Sequence, residues 1–325
     1  MLGTFSYKTK QFFFTLIKLS IVVGASYFIY HKLAYNDNLD FNDFIVFLNK
    51  NDLFLAKNIL FLIILSVFNW FFEILKWQNL VSSIKNISFF EALKQSLAAL
   101  TASLFTPNRI GEYGAKAVYF TKPLRKRILF LNLIGNIAQM TTTLVFGIIG
   151  FSLFNSKYDI DISPIKLFLL ITLVVIIIGF LFFISKQKKF KIKGISLQRI
   201  KEFILEISKK VHFKNIALSV IRYLIFSFQF YYLLTLFGVY INYINAMIVI
   251  ASMYLLSSII PTIFVFDVVV KGSVALFLFD FAGVNELTIL SVITLMWILN
   301  FVLPSVFGGL FVLNFDYDKT SDNLD

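Results

Sequence analysis

Charged residues, proline and glycine interrupt an apolar stretch of the chain near position 110. The residues that form this first break are Pro107, Arg109, Gly111, Glu112 and Lys116. Proline has no amide proton and glycine lets a backbone approach a ligand closely, so a helix should stop here and restart near Asn108. The amides at a helix start favour an anion, and an arginine fork matches two oxygens of a phosphate. The first break therefore predicts binding of an anionic group such as phosphate.

The same charges also have a purely structural interpretation. Glu112 lies three positions after Arg109 and four before Lys116, so on a helix it can pair with either. The charges would then only neutralise one another and hold the turn of the chain. An arginine inside a membrane segment costs roughly 2.5–3.5 kcal/mol even on insertion scales, which favours a functional role.

A second break follows the same order of proline, charge and glycine. Pro261 is followed by Asp267, Lys271 and Gly272. Asp267 and Lys271 are four positions apart, so they predict either a second half of the binding site or a neutral ion pair that staples one helix. A complete span over 244–266 remains an alternative to a break at this point.

The composition places both breaks in a membrane protein. Of 325 residues, 58% are hydrophobic and only 15% are charged, whereas a soluble domain has about 25% charged residues. Cysteine is absent and the two histidines are far apart, which excludes disulfides, thiol chemistry and a His or Cys metal cluster. There is no nucleotide-binding loop. We therefore expect no cofactor, no metal, no catalytic residue and no enzyme activity, and the net charge of +12 indicates orientation in a membrane rather than nucleic acid as a partner.

Hydropathy predicts an all-α, polytopic helical membrane protein with about six full spans. The six complete apolar segments are 12–30, 58–75, 128–154, 164–185, 215–236 and 287–313. Two further apolar stretches, 92–120 and 244–284, contain the breaks and do not read as single spans.

Loop charges predict the orientation, because Lys and Arg are retained on the cytoplasmic side. Lys8 and Lys10 place the N-terminus inside, and the basic loop 186–214 also lies inside. The basic segment 121–127 should be inside as well, on the same side as Lys76 and Lys85. The stretch 92–120 must then enter and leave the membrane on one side, as a re-entrant hairpin. The chain is predicted to be a multi-pass protein of the cell (inner) membrane with both termini cytoplasmic.

The second interrupted stretch, 244–284, is predicted to start and finish outside as a second hairpin. The two hairpins predict an inverted repeat within a single transmembrane domain over 1–325. Asn58 and Arg109 are 51 positions apart, and Asn215 and Asp267 are 52 apart. The halves are about 58–154 and 215–313, in opposite orientation. Inverted repeats with paired broken helices near the midplane are typical of secondary transporters.

Polar residues inside the spans are weaker evidence for a binding site than the two breaks. Asn132, Asn136, Gln139 and Thr143 fall on one helical face and either line a path for a headgroup or bond to neighbouring helices. Glu73 is expected to pair with Lys76 or to lie in the interfacial region.

The first break also carries a family resemblance. Thr106–Tyr113 resembles the T/R-P-G-R-x-G-E motif of the lysylphosphatidylglycerol synthase transmembrane region, a flippase-like family, with Asn108 in place of the usual glycine. Residues 261–273 are similar to a later P…G-x-R-x-G/E-G element. The resemblance implies a membrane region that, in larger members, is joined to a soluble aminoacyl-tRNA-dependent transferase and carries the modified lipid across the bilayer. Lipid aminoacylation by this chain alone is not expected.

These features together predict a protein that translocates or binds an anionic phospholipid or lipid-linked headgroup. The alternative is a membrane-embedded transferase, or an accessory subunit of a lipid- or glycan-modifying enzyme, which would need a second acid or base beside Glu112. Membrane lipids are the expected partners, no nucleic acid is expected, and a homo-oligomer or a partner enzyme is left open.

Overall fold

A computed structural model describes most of the chain outside its termini and a central segment. The described residues are 41–50, 55–104, 110–158, 191–192, 195–259 and 267–315, with Val23, Tyr27, Leu53 and Thr106. The predicted spans 12–30 and 164–185 lie outside this part of the chain, as do Pro107, Arg109 and Pro261.

The first half of the described chain consists of five helices. They are α1 (Phe41–Lys50), α2 (Ala56–Val81), α3 (Phe89–Ser103), α4 (Gly111–Ala117) and α5 (Lys122–Tyr158). Helix α3 begins at a capping box, in which the Ser88 hydroxyl accepts from the Glu91 amide at 3.2 Å and the Glu91 carboxylate accepts from the Ser88 amide at 2.7 Å. The predicted break at Pro107 falls between α3 and α4.

The second half of the described chain repeats this order. A two-residue strand β1 (Lys191–Ile192) pairs antiparallel with β2 (Ile195–Ser196). The following elements are α6 (Leu197–Glu206), α7 (Lys209–Leu236), α8 (Tyr243–Ile259), α9 (Asp267–Asp280), α10 (Glu286–Trp297), a π-helical segment (Ile298–Val302) and α11 (Leu303–Leu313). The predicted break at Pro261 falls between α8 and α9.

Four helical segments within the described residues are long and apolar enough to cross a membrane. They are Ala56–Val81, Lys122–Tyr158, Lys209–Leu236 and Glu286–Leu313, and α8 is a shorter apolar helix. The protein is thus a helical multi-pass membrane protein, and four of the predicted spans lie inside these segments.

Two predicted loop assignments are corrected by the helix bounds. Lys76, assigned to a cytoplasmic loop, lies within α2 and is buried. The basic segment 121–127 is mostly the first turns of α5, which begins at Lys122. Hydropathy sets the end of a span only to within a few residues, whereas the backbone stays helical wherever a charged side chain finds a partner or reaches the interface.

Helix packing crosses between the two halves. Helix α2 packs along α7, α5 packs along α8, and α11 packs along α3. The last long helix of each half therefore packs against the helix that precedes the break in the other half. Glycines permit this approach: a Cβ on Gly150 of α5 would lie 2.6 Å from Cβ of Ala251, and one on Gly308 of α11 would collide with the Leu97 carbonyl.

Candidate functional site

Three charged side chains from α2 and α7 meet between the halves. The Glu73 carboxylate lies 2.7 Å from Nζ of Lys76 and 2.9 Å from Nη1 of Arg222. Glu73 and Lys76 are buried, and the Arg222 side chain is one-fifth exposed. The pairing of Glu73 with Lys76 confirms one of the two alternatives considered for Glu73. Arg222 adds a contact between the halves that the sequence did not predict.

Polar side chains hold the Arg222 guanidinium in place. Its Nε donates to Oδ1 of Asn69 at 3.1 Å, and its Nη1 donates to Oε1 of Gln139 at 3.4 Å. Asn69 in turn donates to Oδ1 of Asn300 at 2.8 Å. Since Asn300 lies in the π-helical segment, a local distortion of the last long helix supplies an anchor for the arginine.

A second ion pair forms on α4, one turn after the first break. Lys116 Nζ donates to Oε1 of Glu112 at 2.7 Å and to Oδ1 of Asn132 at 2.8 Å, and lies 4.3 Å from the centroid of the Trp77 ring. Trp77 Nε1 donates to Oε1 of Gln95 at 2.8 Å. Glu112 and Lys116 are both buried. The lysine is therefore fixed from several sides, which lowers the entropy cost of using it to bind a ligand.

Both ion pairs border one cavity of about 460 Å³. Its lining residues come from α2, α3, α4, α5, α7 and α8: Trp70, Glu73, Ser96, Glu112, Lys116, Asn136, Gln139, Met140, Thr143, Arg222 and Ser258. Asn136, Gln139 and Thr143 confirm the predicted polar face of α5 as part of this lining. Asn136 and Gln139 also bond to neighbouring elements, to the Tyr113 hydroxyl at 3.0 Å and the Ser219 carbonyl at 3.4 Å. The alternative of bonding to neighbouring helices is thus confirmed, and a path for a headgroup stays a prediction.

Among the described residues, the ionic contacts at this cavity join three cations to two carboxylates. Within this set, Lys76, Lys116 and Arg222 exceed Glu73 and Glu112 by one positive charge. An unbalanced cation in a low-dielectric interior attracts an anion strongly. The arrangement can therefore hold an anionic group between Lys116 and Arg222 while the carboxylates keep both cations oriented. Among the described residues no cluster of three His, Cys, Asp or Glu could hold a metal ion.

The structure brings together only part of the predicted site. Glu112 and Lys116 pair as one of the two alternatives predicted, and both line the cavity. The described helix α4 runs from Gly111, three positions after the predicted restart at Asn108, and is seven residues long. The Gly111 amide donates to the Thr106 hydroxyl at 2.9 Å, and a Cβ there would lie 2.6 Å from the Ala102 carbonyl oxygen. Gly111 is thus required for close packing of α4 on α3, and its amide is already used.

The remaining predicted residues are separate from the cavity or not described. Pro107 and Arg109 lie outside the described residues. Asp267 begins α9, and Lys271 is exposed and is not part of the cavity lining. The role of these residues stays a prediction.

Sequence reasoning missed Arg222, although a signal for it was present. Arg222 is a single arginine inside an apolar segment predicted to span the membrane, and such a residue is by default a functional candidate. The pairing of Lys76 was expected but its burial was not, because a lysine at the end of an apolar run resembles a loop charge.

Comparison with known families gives one match. The family model described as "Lysylphosphatidylglycerol synthase TM region" matches residues 15–308, which is most of the chain. No curated protein matches the chain.

Proposed function

The chain belongs to the family of lysylphosphatidylglycerol synthase transmembrane regions, and we propose that it is a flippase-like protein that binds an anionic phospholipid or lipid-linked headgroup in its cavity and moves it across the membrane. The observation that carries this proposal is the cavity itself, where Lys116 of the first half and Arg222 of the second half line one volume. A headgroup phosphate bound there would contact both halves of the protein at once.

The ion pairs support binding rather than acid–base chemistry. A membrane-embedded transferase would need a second acid or base beside Glu112, and Glu73 borders the same cavity. Both carboxylates, however, already accept charge-assisted contacts from a cation at 2.7 Å. We therefore assign them to holding Lys116 and Arg222, and we propose membrane lipids as the partner of the site.

The crossed helix packing supports an inverted repeat with two re-entrant hairpins, α3–α4 and α8–α9. In each half a break falls between two short helices, and the last long helix packs on the hairpin of the other half. Such repeats allow one half to rock against the other around a fixed site. Pro107 and Arg109 would extend the site at the tip of the first hairpin, and Asp267 with Lys271 would form the corresponding pair of the second. The loop charges favour the cell (inner) membrane with both termini cytoplasmic.

Movement of fluorescent lipid in proteoliposomes tests the proposed function. We expect the wild-type protein to expose an anionic fluorescent phospholipid of the inner leaflet to an external quencher, and Arg222→Gln to abolish this. Arg127→Gln is a matched control, because the Arg127 side chain is about half exposed and lies 4.0 Å from Glu206 at the edge of the molecule. A wild-type rate equal to that of protein-free vesicles would reject the function.

The hairpin proposal has an independent test. Since the chain has no cysteine, single cysteines at Lys85 and Arg125 can be labelled from one side at a time. Both should react only from the cytoplasmic side, and labelling from opposite sides would rule out a re-entrant first hairpin.

A further inference from the structure

One hydroxyl in the cavity wall has no hydrogen-bond partner. Ser96 of α3 is buried, with 3% of its surface exposed, and it lines the cavity together with Lys116 and Arg222. Its Oγ has no donor or acceptor within reach in the described part of the chain. A buried hydroxyl without a partner is destabilising, because it has lost its hydrogen bonds to water and gained none from the protein.

Three other helical serines of this protein avoid that cost by donating to a carbonyl of their own helix. Ser103 does so at 2.8 Å, Ser219 at 2.9 Å and Ser252 at 2.7 Å. Ser96 could turn towards its own helix in the same way. Its hydroxyl is instead unpaired and closed to solvent, and it would reach a ligand in the cavity by rotation about the Cα–Cβ bond.

The neighbours of Ser96 place it close to the positive end of the site. The adjacent residue, Gln95, accepts from Trp77 Nε1, and the Trp77 ring lies against Lys116 Nζ. A hydroxyl can donate to a negatively charged oxygen, and such a bond is roughly twice as strong as a neutral one. Lys116 and Arg222 supply the charge for an oxyanion, and Ser96 supplies a short, uncharged donor beside them.

We propose that Ser96 contacts the ligand directly and donates a hydrogen bond to an oxyanion, of the phosphate class, held between Lys116 and Arg222. This inference rests on the proposed function and adds a specificity-determining residue to its site. The hydroxyl is destabilising in the empty protein and useful only when the anion is bound. Replacing Ser96 should consequently have opposite effects on stability and on binding.

Ser291 provides a matched control for the stability effect. It lies on α10, is fully buried and also has an unpartnered hydroxyl, but it is not part of the cavity lining. Ser96→Ala and Ser291→Ala therefore remove the same kind of group from the same kind of burial. Only the first change removes it from the wall of the cavity.

Thermal unfolding of the full chain with defined probes tests the inference. The probes are inorganic phosphate in detergent and nanodiscs of phosphatidylcholine with or without phosphatidylglycerol. Without a probe, both variants should melt at or above the wild-type temperature. With a probe that stabilises the wild type, Ser96→Ala should need about tenfold more of it for half of the shift, the loss expected for one hydrogen bond to a charged group, and Ser291→Ala should need no more than the wild type.

The different probes show whether the oxyanion comes from free phosphate or from a lipid. The outcomes also distinguish failure of the Ser96 contact from failure of the transport function. A shift with inorganic phosphate indicates that the phosphate group is sufficient, and a shift only with phosphatidylglycerol nanodiscs indicates a lipid phosphate. Equal responses of Ser96→Ala and the wild type, or no response of the wild type to any probe, would overturn the role of Ser96. A Ser96-dependent shift in a protein that moves no lipid would support the contact and reject only the transport function.

Discussion

The two halves of the protein share a helix order but differ in what they bury. In the register that aligns Asn58 with Asn215, the positions of Glu73, Lys76 and Trp77 in α2 correspond to Phe230, Leu233 and Leu234 in α7. All six side chains are buried. The first half places an ion pair and an indole where the second half places apolar side chains that belong to the largest hydrophobic core.

This difference shows that crossed packing and binding chemistry are separable. Among the described residues, the second half contributes only Arg222 and Ser258 to the cavity. The backbone arrangement can be repeated because packing of short and long helices depends on shape. In the described part of the chain, the charged site comprises one half plus one arginine. A second set of buried charges would need its own partners and would add a further desolvation penalty.

The largest effect is expected when the buried ion cluster around Glu73 is disrupted. Glu73→Ala leaves Lys76 and Arg222 without their shared carboxylate, and removal of one partner from a buried pair costs about 3–5 kcal/mol. We expect a strongly lowered melting temperature in detergent. An unchanged melting temperature would mean that groups other than Glu73 balance the charges of Lys76 and Arg222.

A triple variant replaces the buried ion cluster by apolar side chains, as at the corresponding positions of the second half. Glu73→Met, Lys76→Leu and Arg222→Met together remove all three charges, and replacement of a whole buried ion cluster by apolar groups is often neutral or stabilising. This variant should recover most of the stability lost in Glu73→Ala, yet move no lipid. Lipid movement at the wild-type rate would show that the charges serve folding only.

The next largest effect is expected at the glycines of the crossed helix contacts, where substitution should lower stability equally in the two halves. Gly308→Ala would force a methyl into the Leu97 carbonyl, and Gly150→Ala would force one against Ala251. Overpacking of this kind costs about 1–3 kcal/mol, measured as reduced resistance to thermal unfolding. Gly272→Ala is the control, since the nearest atom to a Cβ there is a Leu290 methyl at 3.7 Å. A loss in only one half would contradict the repeat.

Arg222→Lys should have a smaller effect, which falls on lipid movement rather than on stability. The variant keeps the charge but loses the planar fork that reaches Asn69, Gln139 and Glu73. We expect lipid movement to fall about tenfold, which corresponds to roughly 1.4 kcal/mol, with little change in expression or melting temperature. Full activity would indicate that a point charge is enough at this position.

The smallest effect is expected at the second break. Lys271 is exposed and outside the cavity lining, whereas Lys116 is buried in it. Lys271→Gln should therefore slow lipid movement by about twofold or less, as for a surface charge, in the same assay in which Lys116→Gln causes a loss of about tenfold or more. Equal losses at the two lysines would mean that the halves carry equivalent sites.

Much of the architecture could be predicted from the sequence because it follows from solvation. A bilayer requires long apolar helices, and a proline or a run of charges interrupts them, so the membrane class, four described spans and the position of both breaks were readable from residue types. The family was also readable, because the motif at 106–113 is local. Orientation, the re-entrant hairpins and the roles of Arg109, Asp267 and Lys271 stay predictions.

The composition of the cavity was decided only by the tertiary structure. Glu112 and Lys116 were predicted to be able to pair, since four residues on one helix are neighbours, but nothing local brings Arg222 to Glu73 across 149 positions of sequence. That contact exists because α2 packs along α7, and because Gln139 and Asn69, which is itself held by Asn300, accept hydrogen bonds from the guanidinium. Whether a charge faces lipid, a partner or a cavity depends on which helices surround it, and a sequence states the order of helices but not their neighbours.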